Sequence, residues 1–208
     1  MKITWHGGTC FEIAGSSSDK ENIVIQIDLK ESEKKSGKFS ADILLKTHNS
    51  DDVKPKADGQ FAISDYGEYE IKGVLVQAIP SLMLDKKENI IYTVETEGIH
   101  VCHLGLFGEN DLNDEQMESL GKVDILIVPI GGDETINYRE AEKIIARLEP
   151  KIVIPMAYDP KKKDGLQSFL KAMGEKDIVP IDKLSIQKKN LSGKSDEEKT
   201  EVVVLESK

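Results

Sequence analysis

Short segments of this chain either alternate apolar and polar residues or run apolar, with turn residues between them. A period of two is typical of strands with one buried face, and short apolar runs are typical of fully buried strands. The first half therefore predicts strands at residues 1–6, 9–14, 22–28, 42–47, 60–64, 68–72 and 74–79. Residues 89–95 and 99–103 then predict a hairpin around Glu97–Gly98.

The second half of the chain adds helices to the strands. Apolar residues recur there at the spacing of one helix face, and helix-capping residues flank some of these segments. These signals predict helices over residues 113–120, 138–148 and around 166–173, with buried strands at 124–129 and 152–155. Each half thus has strands followed by helix, which predicts an α+β fold of two packed sheets with helices outside.

Length and composition suit one domain over residues 1–208, with 38% hydrophobic and 32% charged residues. Residues 190–200 are rich in Ser, Lys, Glu and Asp and predict a mobile loop, while 201–205 predict a last edge strand that pairs with 184–186.

No apolar run approaches the roughly 20 residues that span a bilayer. The first residues have neither a basic lead nor an apolar signal core. We therefore expect a cytoplasmic protein that has no membrane partner.

Charge and cysteine usage exclude further classes. The formal net charge is −10, from 28 basic and 38 acidic residues, which argues against a nucleic-acid partner. Lysine clusters at 161–163 and 188–189 have acidic neighbours and are interpreted as solvated surface. Cys10 and Cys102 lie in apolar, strand-like segments, where a free cysteine behaves as a small buried hydrophobe.

The segment after the apolar run Ile43–Leu45 carries the most specific chemistry. It reads Thr47-His48-Asn49-Ser50-Asp51-Asp52-Val53. This loop resembles the T-H-x-H-x-D-H loop of the metallo-β-lactamase superfamily, which supplies most ligands of a dinuclear zinc site. His48 matches the first His and Asp52 the Asp, whereas Ser50 and Val53 stand where the second and third His would be. Serine is a poor zinc ligand and valine is none.

The resemblance extends along most of the chain. Residues 1–13 are similar to the I-x-W-x-G-H-x-C-F-x-I start of a bacterial branch that includes ascorbate-6-phosphate lactonase, with Gly8 in place of the His. Residues 23–28 resemble its I-L-I-D strand and retain Asp28. Residues 66–80 resemble its P-G-E-Y-E-I-x-G-I-x-V-x-A-I-P hairpin.

Two further segments cover the remaining ligand positions. Residues 98–106 are similar to G-I-x-I-x-H-L-G-D, in which the His binds the first zinc and the Asp bridges both; His103 is retained and Leu106 replaces the Asp. Residues 150–158 match P-K-x-V-I-P-M-H-Y, with Ala157 in place of the last zinc-binding His.

The resemblance implies a metallo-β-lactamase-like αββα sandwich. It also implies three retained ligand positions, His48, Asp52 and His103, against four lost positions, which are Ser50, Val53, Leu106 and Ala157. In the family His48 and His103 would serve the first metal and Asp52 the second, so neither metal keeps its full set. A weak internal repeat, residues 41–45 against 123–127, fits the pseudo-symmetry of that fold.

Each retained residue also has an ordinary structural interpretation. His48 could cap the turn that follows its strand through a side-chain hydrogen bond. Asp52 could cap a turn or helix, and Asp51 beside it leaves the register open. Asp133, after Gly131-Gly132, is either a fresh carboxylate near the site or a cap for a helix that begins near Asn137.

Two functional hypotheses follow. The first, which the losses favour, is a pseudoenzyme without a cofactor, which binds a small molecule or protein or takes part in assembly, with homo-oligomerisation left open. The second is a metal-dependent hydrolase of a lactone, ester or phosphoester. It would hold one zinc or other divalent metal through His48, Asp52 and His103, with help from Asp133 or Asp159, and Asp52 would be its catalytic carboxylate.

Overall fold

The computed structural model describes residues 1–17, 20–48, 54–176, 178–192 and 199–208. The first of two large sheets has six strands. In spatial order they are β14 (Leu184–Ser185), β1 (Lys2–Trp5), β2 (Phe11–Ser16), β3 (Asn22–Ile27), β5 (Ile43–Leu45) and β7 (Phe61–Ile63). Strands β3, β5 and β7 are parallel to one another, while β1 and β2 pair antiparallel.

The second sheet has seven strands. In spatial order they are β15 (Glu201–Val202), β13 (Ile152–Met156), β12 (Ile125–Pro129), β11 (Ile99–His103), β10 (Glu88–Thr96), β9 (Val74–Leu82) and β8 (Gly67–Ile71). Strands β8 to β11 form an antiparallel meander, and β11, β12, β13 and β15 run parallel. A small third sheet pairs β4 (Lys38–Phe39) with β6 (Lys54–Pro55).

Five helices occur in the described part of the chain. They are α1 (Glu31–Ser36), α2 (Asp114–Leu120), α3 (Tyr138–Leu148), α4 (Lys163–Ala172) and α5 (Lys188–Ser192). None of them is long and apolar enough to cross a membrane. Asn113 caps α2 by accepting a hydrogen bond from Gln116 N, and Asn137 caps α3 by accepting one from Arg139 N.

Strand β12 shows how the layers are built, because all five of its residues are buried. Ile125 and Ile127 face the first sheet and join the core between the sheets, whereas Leu126 and Val128 face the helices and join a second core. A strand buried on both faces is expected where helices cover one side of a sheet. A smaller cluster around Phe39 and Leu44 covers the outer face of the first sheet. The predicted αββα sandwich is thereby confirmed.

The weak internal repeat of the sequence corresponds to a repeated backbone motif. Asp42 precedes β5, its N–H donates to Val24 O at 2.9 Å, and its carboxylate accepts from Val24 N at 2.9 Å. Asp124 precedes β12 and does the same with His100, at 2.9 and 3.1 Å. Each aspartate therefore aligns the start of a strand with its parallel neighbour.

Two sequence expectations about the C-terminal segment are wrong in part. Strand β15 pairs with β13, whereas Leu184–Ser185 pairs with β1. Residues 202 to 205 alternate between the two cores and so bury both faces, which suits a position beside a buried strand. Within the predicted loop 190–200, Asn190 to Ser192 belong to α5 because Leu191, 1% exposed, packs in the core between the sheets. Residues 193–198 lie outside the described residues.

The two sheets are joined by hydrogen bonds at one end of the sandwich. Tyr92 of β10 is fully buried, and its hydroxyl donates to the carbonyl oxygens of Lys46 and Ile63 in the first sheet, each at 3.0 Å. Close by, Ile90 N donates to Thr47 O at 2.7 Å. The loop after β5 is thus held against the second sheet.

Removal of the Tyr92 hydroxyl should destabilise the fold. In Tyr92→Phe the carbonyl groups of Lys46 and Ile63 lose the Tyr92 hydroxyl as a donor, although Ile63 O still accepts from Lys46 N at 2.9 Å. We expect a loss of about 1–2 kcal/mol in the free energy of unfolding, measured by urea titration. The control is Tyr69→Phe, whose hydroxyl donates to Asp65 O at the surface. It should change stability by less than about 0.5 kcal/mol. Equal effects in the two variants would contradict this role for Tyr92.

Candidate functional site

The candidate residues follow the ends of four strands and meet at one edge of the sandwich. Asp28 follows β3, Thr47–His48 follow β5, Leu104–Leu106 follow β11 and Ala157 follows β13. Strands β3 and β5 are parallel in one sheet, and β11 and β13 run parallel in the other. Because parallel strands end at the same sheet edge, the topology itself brings these side chains together.

Asp28 and Thr47 hold His48 in one orientation. The carboxylate of Asp28, a residue only 8% exposed, accepts from Thr47 N at 2.8 Å and from Thr47 Oγ1 at 2.7 Å. The Thr47 hydroxyl lies 2.6 Å from His48 Nδ1. A hydroxyl has one proton, and here it goes to Asp28, so His48 Nδ1–H must donate to Thr47. In the neutral ring this chain of donors leaves His48 Nε2 as an acceptor, on a side chain that is 22% exposed.

His103 is held quite differently, because the protein itself uses both of its ring nitrogens. The residue is fully buried; Nε2 lies 3.0 Å from Thr9 O, and Gly105 N donates to Nδ1 at 3.1 Å. A neutral ring with its proton on Nε2 satisfies both contacts. Burial, which disfavours the charged form, lowers the pKa of His103 to about 4 even though the Asp28 carboxylate acts in the opposite direction.

A buried asparagine shapes the turn that carries Leu106. Asn89 Oδ1 accepts from Leu106 N at 2.8 Å, and Asn89 Nδ2 donates to Leu104 O at 2.9 Å. Gly105 between them has φ of +62°, and a Cβ on it would lie 2.3 Å from Asn89 Oδ1, so only glycine fits. Leu106 itself is half-buried and brings an aliphatic side chain to the position of the family's bridging carboxylate.

Ala157 occupies the last ligand position with a methyl group. Its φ is +53° and its N–H donates to Gly8 O at 3.2 Å, which joins the loop after β13 to the loop after β1. A Cβ on Gly131 would lie 2.0 Å from Ala157 O, so glycine is needed for this close approach. The loop conformation is therefore built from backbone contacts, and the side chain at 157 offers no ligand atom.

The residues that the structure describes do not fit a dinuclear metal site. Among the described residues, His48 and His103 are the only family ligand positions whose side chains could bind a metal. Both ring nitrogens of His103 are hydrogen-bonded to backbone groups. Asp52, Ser50 and Val53 lie outside the described residues. Within the described ranges, no group of three or more His, Cys, Asp or Glu residues is placed to hold a metal ion.

Three other polar residues follow strand ends: Asp133 after β12, Asp159 after β13 and His6 after β1. Asp133 is exposed, and its interpretation as a helix cap is wrong because Asn137 caps α3. Asp159 is exposed and accepts from Lys161 N at 2.9 Å. His6, whose Nε2 is buried, lies 3.8 Å from Glu12 Oε2.

The interpretation of both cysteines as core residues is confirmed. Cys10 is 5% exposed and Cys102 is fully buried, and neither forms a disulfide. Burial raises the pKa of the Cys10 thiol to about 12 and also raises that of Cys102. Neither thiol is therefore ionised near neutral pH, which removes the reactive form.

Three residues that shape the site were missed by sequence reasoning. Thr47 could have been found, because a hydroxyl between a retained Asp and a retained His is the residue type that links them. Thr9 contributes only its carbonyl group, so its residue type carries no signal. Asn89 acts across 17 residues on Leu106, a contact that the local pattern does not encode.

Comparison with known families agrees with the fold and the strand-end geometry. Residues 2–157 match the family described as the β-lactamase superfamily domain. The chain belongs to this superfamily. A relative in Thermococcus onnurineus, named a UPF0173 metal-dependent hydrolase, is 31% identical over 128 residues, or 56% of each chain. The chain thus aligns with little more than half the length of the first curated relatives it matches.

Longer matches come from another relative and from a solved structure. A Pyrococcus furiosus relative, named a UPF0173 protein, is 28% identical over 204 residues, which are 86% of this chain and 93% of that one. A Thermotoga maritima structure, described as a Zn-dependent hydrolase of the metallo-β-lactamase superfamily, has a TM-score of 0.73 at 30% identity. It covers 100% of this chain and 99% of that one. A metal-dependent hydrolase from Parabacteroides distasonis, 22% identical with a TM-score of 0.60, shares the fold and covers 84% of this chain and 90% of that one.

The buried His103 should make the stability of this superfamily member depend on pH. Its pKa is about 4 in the fold and 6.5 as the ordinary value, so the unfolded chain takes up the proton first as pH falls. Stability is therefore full above about pH 6.5 and decreases toward pH 4, by up to about 3 kcal/mol from this group. Urea titrations at pH 7.5, 5.5 and 4.5 would measure it.

Comparison with His103→Gln isolates this contribution, because glutamine does not titrate. As pH falls, we expect the free energy of unfolding of the wild type to decrease relative to that of His103→Gln. The matched control is His100→Gln, since the His100 side chain is 37% exposed on β11. If the difference in unfolding free energy between the wild type and His103→Gln is constant from pH 7.5 to 4.5, His103 is not the group responsible.

Proposed function

We propose that this chain is a non-catalytic member of the β-lactamase superfamily that binds a ligand at the former metal-site edge. The observation that carries the proposal is the bonding of His103. In the family this residue would share the first metal with His48, but here its Nε2–H donates to Thr9 O and its Nδ1 accepts from Gly105 N. Neither nitrogen has a lone pair directed at a shared metal position.

Recruitment of His103 to a metal would have a cost. The ring would have to lose the Nε2 proton and leave Thr9, and the buried carbonyl would then lack its donor. An unsatisfied buried group costs about 1–3 kcal/mol. The other nitrogen is held by the N–H of Gly105, whose backbone conformation excludes a larger residue. The present arrangement is thus stable as a protein-only contact.

The residues at two other ligand positions, Leu106 and Ala157, also disfavour a bound metal. Leu106 brings an aliphatic side chain to the position of the bridging carboxylate, and the Ala157 methyl group packs against the core between the sheets. Apolar groups do not compensate the desolvation of a divalent cation. We therefore propose no cofactor for this chain.

A metal-dependent hydrolase is the second candidate, and two observations favour it. Asp28 and Thr47 orient the ring of His48 so that, when neutral, its Nε2 is an acceptor, which is the state a ligating histidine needs. In addition, relatives such as the Thermococcus onnurineus protein are named metal-dependent hydrolases. In this second candidate a single zinc or other divalent ion would use His48, Asp52 and His103, with His103 released from Thr9, and the substrate class would be a lactone, ester or phosphoester.

The proposal also includes the class of partner. A small molecule or a protein is proposed, and nucleic acid is not, because the net charge of −10 opposes binding to a phosphate backbone. Assembly with a second copy of the chain is compatible with either candidate function. We place the protein in the cytoplasm as part of this proposal.

Metal content separates the two candidates. After incubation with zinc, manganese or iron and desalting, the untagged protein should retain less than about 0.1 equivalent of each by plasma mass spectrometry, because a three-ligand site normally survives desalting. The protein should also not hydrolyse model lactones or phosphodiesters above the rate of buffer.

Two variants make this measurement specific. Near one equivalent of metal in the wild type, lost in His48→Ala and kept in the surface control His100→Ala, would overturn the non-catalytic proposal and support the single-metal hydrolase. Metal that is kept in both variants would instead indicate binding that does not involve His48.

A further inference from the structure

A second feature adjoins His48 on its exposed side. A cleft of about 530 Å³ lies between the loop after β5, the turn between β7 and β8, and the start of β10. The described residues that line it are Lys46, Thr47, His48, Ser64, Asp65, Tyr66, Glu88 and Ile90. The volume lies within the range of small-molecule sites.

The base of this cleft is rigid. Thr47 and Ile90 are buried and joined by the 2.7 Å hydrogen bond between Ile90 N and Thr47 O. The Tyr92 hydroxyl fixes Lys46 O and Ile63 O just beneath. The polar groups of the lining are therefore presented from a base that is hydrogen-bonded across both sheets, which favours a preformed site.

The described lining residues carry more negative than positive charge. Asp65 and Glu88 contribute two carboxylates, and Lys46 contributes one positive charge. His48 adds an Nε2 acceptor, because its Nδ1 proton is committed to Thr47. Two carboxylates and the Nε2 acceptor of a neutral His48 ring suit a ligand that donates hydrogen bonds and carries positive charge.

Tyr66 adds an aromatic surface to these acceptors. The residue is 45% exposed. Burial and the charge of Glu88 both raise the pKa of its phenol, so Glu88 lies close enough to act on the ring substituent. An exposed aromatic face beside carboxylates is a favourable environment for an ammonium or guanidinium group.

We propose that this cleft binds a small organic cation, a ligand with an ammonium or guanidinium group seated among His48, Asp65, Tyr66 and Glu88. This inference rests on the proposed function, since it names the ligand class of the same edge of the sandwich. A neutral polyol is the competing class, because His48, Ser64 and Tyr66 can also bond hydroxyl groups. An anion is disfavoured by the two carboxylates.

The test uses putrescine as probe and 1,4-butanediol as its uncharged counterpart of the same length. Amide chemical shifts of the full chain, recorded by ¹H–¹⁵N correlation NMR at low salt, should move saturably with putrescine at Asp65, Tyr66 and Glu88. Butanediol should leave them in place, and added salt should weaken the response to putrescine because the cleft is exposed.

Matched variants locate the charge that matters. Glu88→Gln and Asp65→Asn should each weaken putrescine binding about two- to fivefold, the range expected for exposed ion pairs. Glu68→Gln removes an exposed carboxylate on β8, outside the cleft, and should leave binding unchanged. Circular dichroism spectra would show that the variants are folded.

Three outcomes would overturn the inference: no saturable shift with putrescine, equal shifts with butanediol, or equal weakening by Glu68→Gln. The metal-content experiment is independent of them, so the two proposals can fail separately. If zinc binds at His48 and displaces putrescine, the non-catalytic function fails while the cation site stands. If neither zinc nor putrescine binds, only the cation site fails.

Discussion

The pair of hydrogen bonds from Thr47 to the Asp28 carboxylate organises the end of the sandwich where every described family ligand position lies. Asp28 sits in a left-handed conformation just after β3, and its N–H donates to Leu45 O at 2.8 Å, so it is tied to β5 through both backbone and side chain. Thr47 then accepts from Ile90 of the second sheet. One buried carboxylate thus sets the loop after β5, the orientation of His48 and the base of the adjoining cleft.

The Ile90–Thr47 bond and two further contacts hold together the loops that carry the family's ligand positions. His103 Nε2 donates to Thr9 O at 3.0 Å, Ile90 N donates to Thr47 O at 2.7 Å, and Ala157 N donates to Gly8 O at 3.2 Å. Each bond joins a residue of the second sheet to a loop of the first. Bound metal ions would join the same two sets of loops, so these protein-only bonds can maintain the site edge when ligand residues are replaced.

The sequence predicts the sheets and outer helices well because hydrophobic alternation reports directly which face is buried. The sequence does not predict which strand residues 201–205 pair with. A segment that is apolar on both faces fits beside any buried strand, and hydrophobic alternation does not indicate which one. It also fails for α5, where the single apolar residue Leu191 anchors an otherwise polar segment. The role of His103 was unpredictable for another reason: the same imidazole ligates a metal or donates to a carbonyl, depending on whether Thr9, 94 residues away in sequence, is within reach.

The charge state of residue 28 determines what His48 can offer. A carboxylate only accepts, so the Thr47 proton is drawn to Asp28 and the His48 Nδ1 proton is drawn to Thr47. An asparagine of the same shape could donate to Thr47 Oγ1, Thr47 would then donate to His48 Nδ1, and Nε2 would become a donor. Burial of a carboxylate is costly unless it is well bonded, and a neutral amide would hold the loop at lower cost. The acidic residue therefore does more than hold the loop, because it makes Nε2 the acceptor of a neutral His48, a residue that lines the cleft, and an acceptor there suits a cationic ligand.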